Sequence, residues 1–449
     1  MKWLKWLFGT AKTVDKPEIP EAKIDLSTKT VDTPLHRSVN IDLRILKQLF
    51  PIRTLSEDTL NTFVLDRKAD IYPPGSILFR IGEPVHSVHY LLEGTVLLET
   101  AEGKTYEVES GSVKARFPLF SGRQYTATAQ AKTDIHVLRV SSKIMSHTQA
   151  RAESMSTIID PLAEDIPEQV KESRAFKAFC ENYFSAELEL PTLPTVALKL
   201  SRAIEQDCSL KELAGHIHLD PVITARLISV ANSPLYHAGG PIHSCQDAIA
   251  TLGMAATRNL VISLCLRRIF EYKQPAINKL LQEQWKKSIY LSSLCFVLAE
   301  ENGGVNKEEA LLAGLIGDIG VLPFFYFLGN HPGQDWRPEE ILLALPHVRA
   351  PVGAFLLEQW RFPPELARIP LLAENWCYES DKALGLADIV ILSKLHSYMG
   401  TPRMAELPAI NSIPAFSKLK EGRLSPEHSL DMLVKAKHKI HQAMRVFAG

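Results

Sequence analysis

Residues 219–237, LDPVITARLISVANSPLYH, carry the best-marked helix of this chain. Asp220 suits an N-cap, and Pro221 suits the first helical position because a backbone N–H would have no partner there. Apolar side chains then recur at helical spacing until a polar turn, which begins at Asn232, ends the run. We expect a core helix here, with a capping rather than a catalytic role for Asn232 and Ser233.

The helical pattern extends on both sides, from about residue 188 to residue 400. Three further stretches belong to it: ELPTLPTVALKL (189–200), PIHSCQDAIATLGMAATRNLVIS (241–263) and LLAGLIGDIGVL (311–322). The last stretch lies in a run that approaches the length of a membrane span, but Asp318 and Pro323 indicate a buried helix that ends near Leu322. The second half of the chain is therefore expected to be an all-α domain.

Short β-rich runs begin at Tyr72 and continue to about residue 141. Glycine-containing turns separate the runs ILFR, VHYLL, TVLLET, TYEVE, TATAQA and IHVLRV, a pattern typical of a small β-sandwich or barrel. A helical pattern with Ser56 as a candidate N-cap precedes them.

The chain has 449 residues, which suits two or three domains. We predict five segments: an N-terminal segment and linker at 1–40, a β domain at 41–142, a helical connector at 143–187, an all-α domain at 188–400, and a C-terminal extension with a tail helix at 401–449.

Composition limits the function. The formal net charge is −1, so nucleic acid is not expected as a partner. The six cysteines are scattered without a CxxC pair, which indicates reduced thiols, a cytoplasmic location and no zinc site. Residues 1–8, MKWLKWLF, alternate lysines with aromatic and aliphatic side chains. Membrane contact by this segment is one interpretation, and docking on the protein's own surface is the one we favour.

The four helical stretches together resemble the HDOD domain, a helical relative of the HD and HD-GYP phosphohydrolases of bacterial signalling proteins. The resemblance covers roughly 188–400 and is most specific in the Asp-Pro…Ala-Asn-Ser…Tyr segment. It implies a regulatory role, because HDOD domains are typically fused to sensor or output modules and have no agreed catalytic activity.

In HD enzymes, histidines and aspartates from several helices hold a metal that activates water. Each histidine position of that site holds another residue here: Lys287, Gly317, Arg349 and the pair Glu374-Asn375. Only Asp318 and Asp388 remain as ligands, so we predict no catalytic residues, no metal and no cofactor.

Asp318 shares a helical face with apolar residues and should point inward. A buried lone carboxylate needs a charged or hydrogen-bonding partner. We expect Lys287, or alternatively Arg349, to supply the positive charge. The competing interpretation is that Asp318 caps a neighbouring helix.

The run PPGSILFRIGEPVHSVHYLLEGTVLLE (73–99) resembles the cyclic-nucleotide-binding fold of the catabolite activator protein and of protein kinase A regulatory subunits. Gly75, Gly82 and Gly94 fall where that family has turn glycines. The resemblance implies a jelly-roll β-barrel at the N-terminal side of the all-α domain.

The family's phosphate-binding cassette is altered in GSVKARFPLFSGRQYTATA (111–129). Gly111, Arg123 and Thr126 are kept, but Arg116 stands where the family's ribose-binding glutamate is expected. We therefore do not expect the family's usual cyclic-AMP binding. Another nucleotide-like anion is the candidate ligand, with five candidate binding residues: Gly111, Lys114, Arg116, Arg123 and Thr126. The alternative is that Arg123 is a surface residue of a barrel used only for docking.

These observations predict a non-enzymatic regulatory protein of bacterial signal transduction, which acts through an unknown protein partner of its HDOD domain. The alternative is a sensor in which the β domain binds a nucleotide or another anion. A residual metal-dependent phosphodiesterase is the least favoured function. A transcription factor is not expected, because the connector leads into HDOD signatures rather than into a helix-turn-helix.

Overall fold

The computed structural model describes residues 35–50, 68–101, 103–122, 124–141, 166–185, 188–194, 209–236, 240–331, 336–379 and 383–419, together with Ile52, Val196, Ala197 and Lys199. These residues form two compact units. The first contains the described residues up to Ser141 with those in 376–383 and 398–419, and the second contains those in 166–375 and 384–397. The predicted cap Ser56 and the predicted tail helix lie outside the described residues.

The first unit contains eight strands among the described residues, arranged in two antiparallel sheets. They are β1 (Leu35–Asn40), β2 (Lys68–Tyr72), β3 (Ile77–Phe79), β4 (Ser87–Glu93), β5 (Thr95–Thr100), β6 (Thr105–Glu109), β7 (Ala127–Ala131) and β8 (Ile135–Ser141). One sheet has the order β1-β2-β8-β4 and the other the order β3-β7-β5-β6. A short helix, α1 (Leu43–Leu46), follows β1.

Apolar and aromatic side chains fill the space inside this unit. Phe79 stacks on Tyr125 with ring centroids 4.0 Å apart, and the ring of Phe120 lies 5.3 Å from that of Tyr125. The β4–β5 turn requires glycine, because Gly94 has φ +87° and a Cβ there would overlap the backbone oxygen of Asp134. The predicted N-terminal β domain of jelly-roll type is thus confirmed.

Two strands were not predicted. β1 falls within the segment that we interpreted as a linker, and β2 begins four residues before the predicted start of the β region. Both gain their hydrogen-bonding partners from distant parts of the chain, since β2 pairs with β1 on one side and with β8 on the other.

The second unit is helical, as predicted. Its described helices are α2 (Glu168–Lys171), α3 (Arg174–Phe184), α4 (Leu210–Ile217), α5 (Pro221–Ala231), α6 (Cys245–Leu252), α7 (Met254–Leu266), α8 (Pro275–Asn302), α9 (Lys307–Ile316), α10 (Val321–Asn330), α11 (Pro338–Gln359), α12 (Pro364–Ala367), α13 (Ile369–Leu372) and α14 (Leu386–Ser397). Asp220 caps α5 by accepting from the backbone N–H groups of Val222 and Ile223, as the sequence predicts.

The apolar run around Asp318 is broken earlier than predicted. α9 ends at Ile316 and α10 begins at Val321, so the prediction of one helix ending near Leu322 was wrong. Among the described residues, the segments Lys307–Asn330 and Pro338–Gln359 are long and apolar enough to cross a membrane by length and composition. In the first of them, 89% of the apolar window is buried inside the protein.

Candidate functional site

Asp318 lies in the tight turn between α9 and α10, and two glycines fix the position of that turn. A Cβ at Gly320 would overlap the carbonyl oxygen of Arg349, so the turn runs directly against α11. A Cβ at Gly314 would lie 2.5 Å from the Cα of Ser292, so α9 also packs closely on α8. The absence of side chains at these points brings Asp318 within reach of α11.

Four charged side chains meet around this turn, and we call them the ionic tetrad: Asp318, Arg349, Glu374 and Lys394. Arg349 Nη1 donates to Asp318 Oδ1 at 3.3 Å, and Lys394 Nζ donates to Asp318 Oδ2. Arg349 Nη2 also pairs with Glu374 Oε2, and Lys394 Nζ lies 3.9 Å from Glu374 Oε1. Each carboxylate therefore contacts both cations.

The ionic tetrad is largely enclosed by the protein. The exposed fraction of the side chain is 13% for Asp318, 14% for Arg349, 17% for Glu374 and 5% for Lys394. Burial raises the pKa of Asp318, but the charges of Lys394 and Arg349 outweigh burial and hold that pKa below its ordinary value of 3.8. Asp318 is therefore ionised at neutral pH, and the two carboxylates balance the two cations.

Two cations, Lys287 and Arg349, were predicted as partners of Asp318, and the structure places them differently. Arg349, the alternative cation, contacts Asp318, whereas Lys287, the first choice, has an exposed side chain on α8. The contacts of Asp318 are with Arg349 and Lys394, so ion pairing describes its role better than the capping of a neighbouring helix. Sequence reasoning missed Lys394, although a lysine inside the apolar stretch of α14 was a visible signal of a buried charge.

Two further positions of the expected metal site are Gly317 and Asp388. Gly317 ends α9, and a Cβ there would meet only ordinary contacts at 3.6 Å or more. Asp388 is buried at the start of α14, where its Oδ2 accepts a hydrogen bond from the backbone N–H of Gly385 at 2.8 Å. Asp388 thus stabilises the first turn of α14.

The residues of the ionic tetrad do not fit a divalent metal ion. A metal needs lone pairs from several ligands, whereas an ammonium and a guanidinium offer none. Both cations already contact Asp318 and Glu374, the two carboxylates of the tetrad. Within the part of the chain that the structure describes, no three His, Cys, Asp or Glu side chains are grouped so that they could hold a metal.

In the β unit, the structure describes four of the five predicted anion-binding residues, and Arg123 lies outside the described residues. Gly111 has φ +79° in a turn, and the exposed Lys114 and Arg116 follow on a short 3-10 turn. Thr126 is half-buried and donates its hydroxyl to the backbone oxygen of Asn411 at 3.5 Å.

Asn232, expected to cap a neighbouring helix, joins two backbone segments. Its side chain accepts a hydrogen bond from the N–H of Ile242 at 2.9 Å and donates to the oxygen of the same residue at 2.7 Å. Ile242 lies two residues before Ser244, which caps α6. Asn232 therefore fixes the chain that leads into α6.

Family models match both parts of the chain. The model of the HDOD domain matches residues 190–375, and the model of the cyclic nucleotide-binding domain matches residues 70–150. No curated protein matches the chain.

Solved structures are similar to each part. A candidate metal-dependent phosphohydrolase from Shewanella amazonensis is 24% identical, with 61% of this chain and 97% of that chain covered and a TM-score of 0.50. An HDOD domain protein of unknown function from Geobacter sulfurreducens is 20% identical over 61% of this chain and 97% of its own, with a TM-score of 0.44. A candidate cyclic nucleotide-binding protein from Geobacter metallireducens is 21% identical over 25% of this chain and 86% of its own, with a TM-score of 0.21. The β unit agrees with the first of these domain types in chain order, and the helical unit agrees with the second. This chain therefore contains a cyclic nucleotide-binding domain followed by an HDOD domain.

Proposed function

We propose that this chain is a cytoplasmic regulatory protein of bacterial signal transduction, whose HDOD domain works without catalysis and through contacts with a partner protein. The combination of an HDOD domain with a cyclic nucleotide-binding domain supports a regulatory role. The observation that carries the non-enzymatic part is the ionic tetrad, in which two cations contact the two carboxylates at the expected metal position.

The two cations of the ionic tetrad oppose the binding of a metal ion. A divalent ion placed about 4 Å from a single positive charge is repelled by about 8 kcal/mol at an effective dielectric constant of about 20. Lys394 and Arg349 both contact Asp318, so an ion bound to that carboxylate would meet both charges. A metal-activated water, which the hydrolytic mechanism of HD enzymes requires, therefore has no favourable place beside Asp318.

Thermal unfolding of the full chain with and without Mn²⁺, Mg²⁺ or Zn²⁺, together with a cyclic di-GMP hydrolysis assay, tests this part. We expect the melting temperature to change by less than about 1 °C and no hydrolysis above the buffer rate. A metal-dependent rise of several degrees, with hydrolysis that is lost in Asp318→Asn but kept in the exposed control Asp247→Asn, would show that the domain is an enzyme.

The partner-protein part is tested by affinity capture from the native host with in-cell crosslinking. We expect one or more proteins to be crosslinked to the tagged full chain. An unrelated protein with the same tag, which serves as the control, should not be crosslinked to them. If no protein is retained above that control, the proposed contact function fails.

The second candidate is a sensor of a nucleotide or another anion in the β domain. The exposed cations Lys114 and Arg116, beside the turn at Gly111, favour it because they are placed to attract an anion. Calorimetry with cyclic AMP, cyclic GMP and cyclic di-GMP tests this candidate. Loss of binding in Arg116→Met, with binding kept in Lys132→Met, an exposed lysine directly after β7, would support it.

A further inference from the structure

The described residues 407–419, which we call the cover segment, are folded tightly within the β unit. The cover segment forms two 3-10 turns, Ile410–Ser412 and Pro414–Lys418. Asn411 and Ser412 are each 5% exposed, and the aromatic ring of Phe416 is also buried. Polar side chains at this degree of burial need partners, and the β unit supplies them.

The partners of the cover segment lie on the altered phosphate-binding cassette and on the neighbouring strand β6. Thr126 Oγ1 donates to the backbone oxygen of Asn411 at 3.5 Å, and the hydroxyl of Ser121 donates to the backbone oxygen of Ser412. Asn411 Nδ2 donates to the hydroxyl oxygen of Tyr106 on β6 at 2.8 Å.

Steric contacts agree with the hydrogen bonds. A Cβ on Gly122 would lie 3.0 Å from Cβ of Ser417 and 2.8 Å from the ring of Phe120, so a side chain at this position would push the cover segment away. The cassette and the cover segment therefore fit each other closely at Ser121, Gly122 and Thr126.

The chemistry of these contacts suggests what the cover segment replaces. Hydroxyl and amide donors are the groups that bind the oxygens of a phosphate. In this chain, the hydroxyls of Ser121 and Thr126 donate to backbone carbonyl oxygens of the cover segment. Those carbonyl oxygens use the same donors that an anionic ligand on the cassette would need.

We propose that the cover segment is an intramolecular competitor of ligand binding, which occupies the cassette face of the β domain until an anionic nucleotide displaces it. This inference rests on the second candidate function, anion sensing by the β domain. Release of the cover segment is then the conformational signal, because an anion and the carbonyl oxygens of Asn411 and Ser412 cannot accept from the same hydroxyls at once.

The test compares the full-length wild type with the double variant Asn411→Ala/Phe416→Ser and with the control Met404→Ala. The double variant removes the bond to Tyr106 and one buried ring of the cover segment, whereas Met404 is 43% exposed on the preceding 3-10 turn. Hydrogen exchange of residues 407–419 first measures release, and calorimetry with cyclic AMP, cyclic GMP and cyclic di-GMP then measures affinity.

We expect faster exchange in the double variant and at least tenfold tighter binding of one of the three nucleotides than in the wild type, with the Met404→Ala protein unchanged. Saturating nucleotide should also speed exchange of the cover segment in the wild type. Equal affinity in all three proteins would leave the sensor function standing and overturn the competitor role. Absence of binding to the released double variant would overturn both.

Discussion

The ionic tetrad makes a quantitative prediction for Lys394→Met. This substitution keeps the length of the apolar stem but removes the charge that contacts Asp318 and Glu374. Within the ionic tetrad, two carboxylates then face one cation, Arg349, at a site where Lys394 itself is only 5% exposed. Removing one partner of a buried ion pair costs about 3–5 kcal/mol, so we expect a loss of that size in the free energy of unfolding of the helical unit.

A second substitution separates charge balance from packing. In Lys394→Met/Asp318→Asn the remaining pair, Arg349 and Glu374, is neutral overall. We therefore expect the double variant to be more stable than the sum of the two single losses predicts, with a coupling energy of about 0.5–3 kcal/mol.

Urea unfolding followed by tryptophan fluorescence is the assay. Trp285, Trp336 and Trp360 belong to the helical unit, but Trp376 belongs to the other unit. The helical circular dichroism signal is therefore recorded as well, because the long helices belong to the helical unit. Lys286→Met, an exposed lysine on α8, is the matched control and should change stability by less than about 0.5 kcal/mol. If Lys394→Met loses no more than this control, or if the double variant shows simple additivity, the ion-pair reasoning is refuted.

Three further outcomes are expected. Gly317→Ala should stabilise the helical unit by about 0.4–1 kcal/mol, because its backbone is helical and its Cβ would meet no atom closer than 3.6 Å. Gly314→Ala should instead destabilise the helical unit by about 1–3 kcal/mol, because the added Cβ would lie 2.5 Å from the Cα of Ser292. Urea unfolding measures the effects of both glycine substitutions. Burial lowers the pKa of His396 from 6.5 to about 4, and burial together with the charge of Arg139 lowers the pKa of His89 to about 4 as well. The unfolded chain therefore binds more protons than the folded chain between pH 4 and pH 6.5. The free energy of unfolding should therefore keep its full value above pH 6.5 and fall as the pH drops towards 4, by up to about 3 kcal/mol for each histidine. Urea unfolding at several pH values should show a weaker pH dependence in His89→Gln and in His396→Gln.

The sequence was most informative where a local pattern determines the structure. Six of the described strands, β3 to β8, match the β-rich runs and their glycine turns, and the cap at Asp220 follows from side-chain chemistry alone. β1 and β2 were missed because short strands with mixed polarity gain their stability from partners far along the chain, which no local window contains.

The same limit applies to the charged site. Arg349 was foreseen because it occupies a position of the resembled metal site. Lys394 lies 76 residues from Asp318, and its contact exists only because α14 packs beside the turn between α9 and α10. The early break of that apolar run also depends on packing, since the lack of a side chain at Gly320 allows the turn to lie against α11.

The ionic tetrad also performs a structural task of the kind that a metal performs. Its members come from four separate places in the chain: the turn after α9, α11, the segment after α13, and α14. A metal joins such segments by accepting lone pairs from each of them, whereas here two cations join them by donating to two carboxylates. Loss of any member leaves the formal charges of the other three unbalanced within the tetrad, which is costly in a largely enclosed site. The contacts of the ionic tetrad therefore hold these four segments in one arrangement, as the proposed contact function requires.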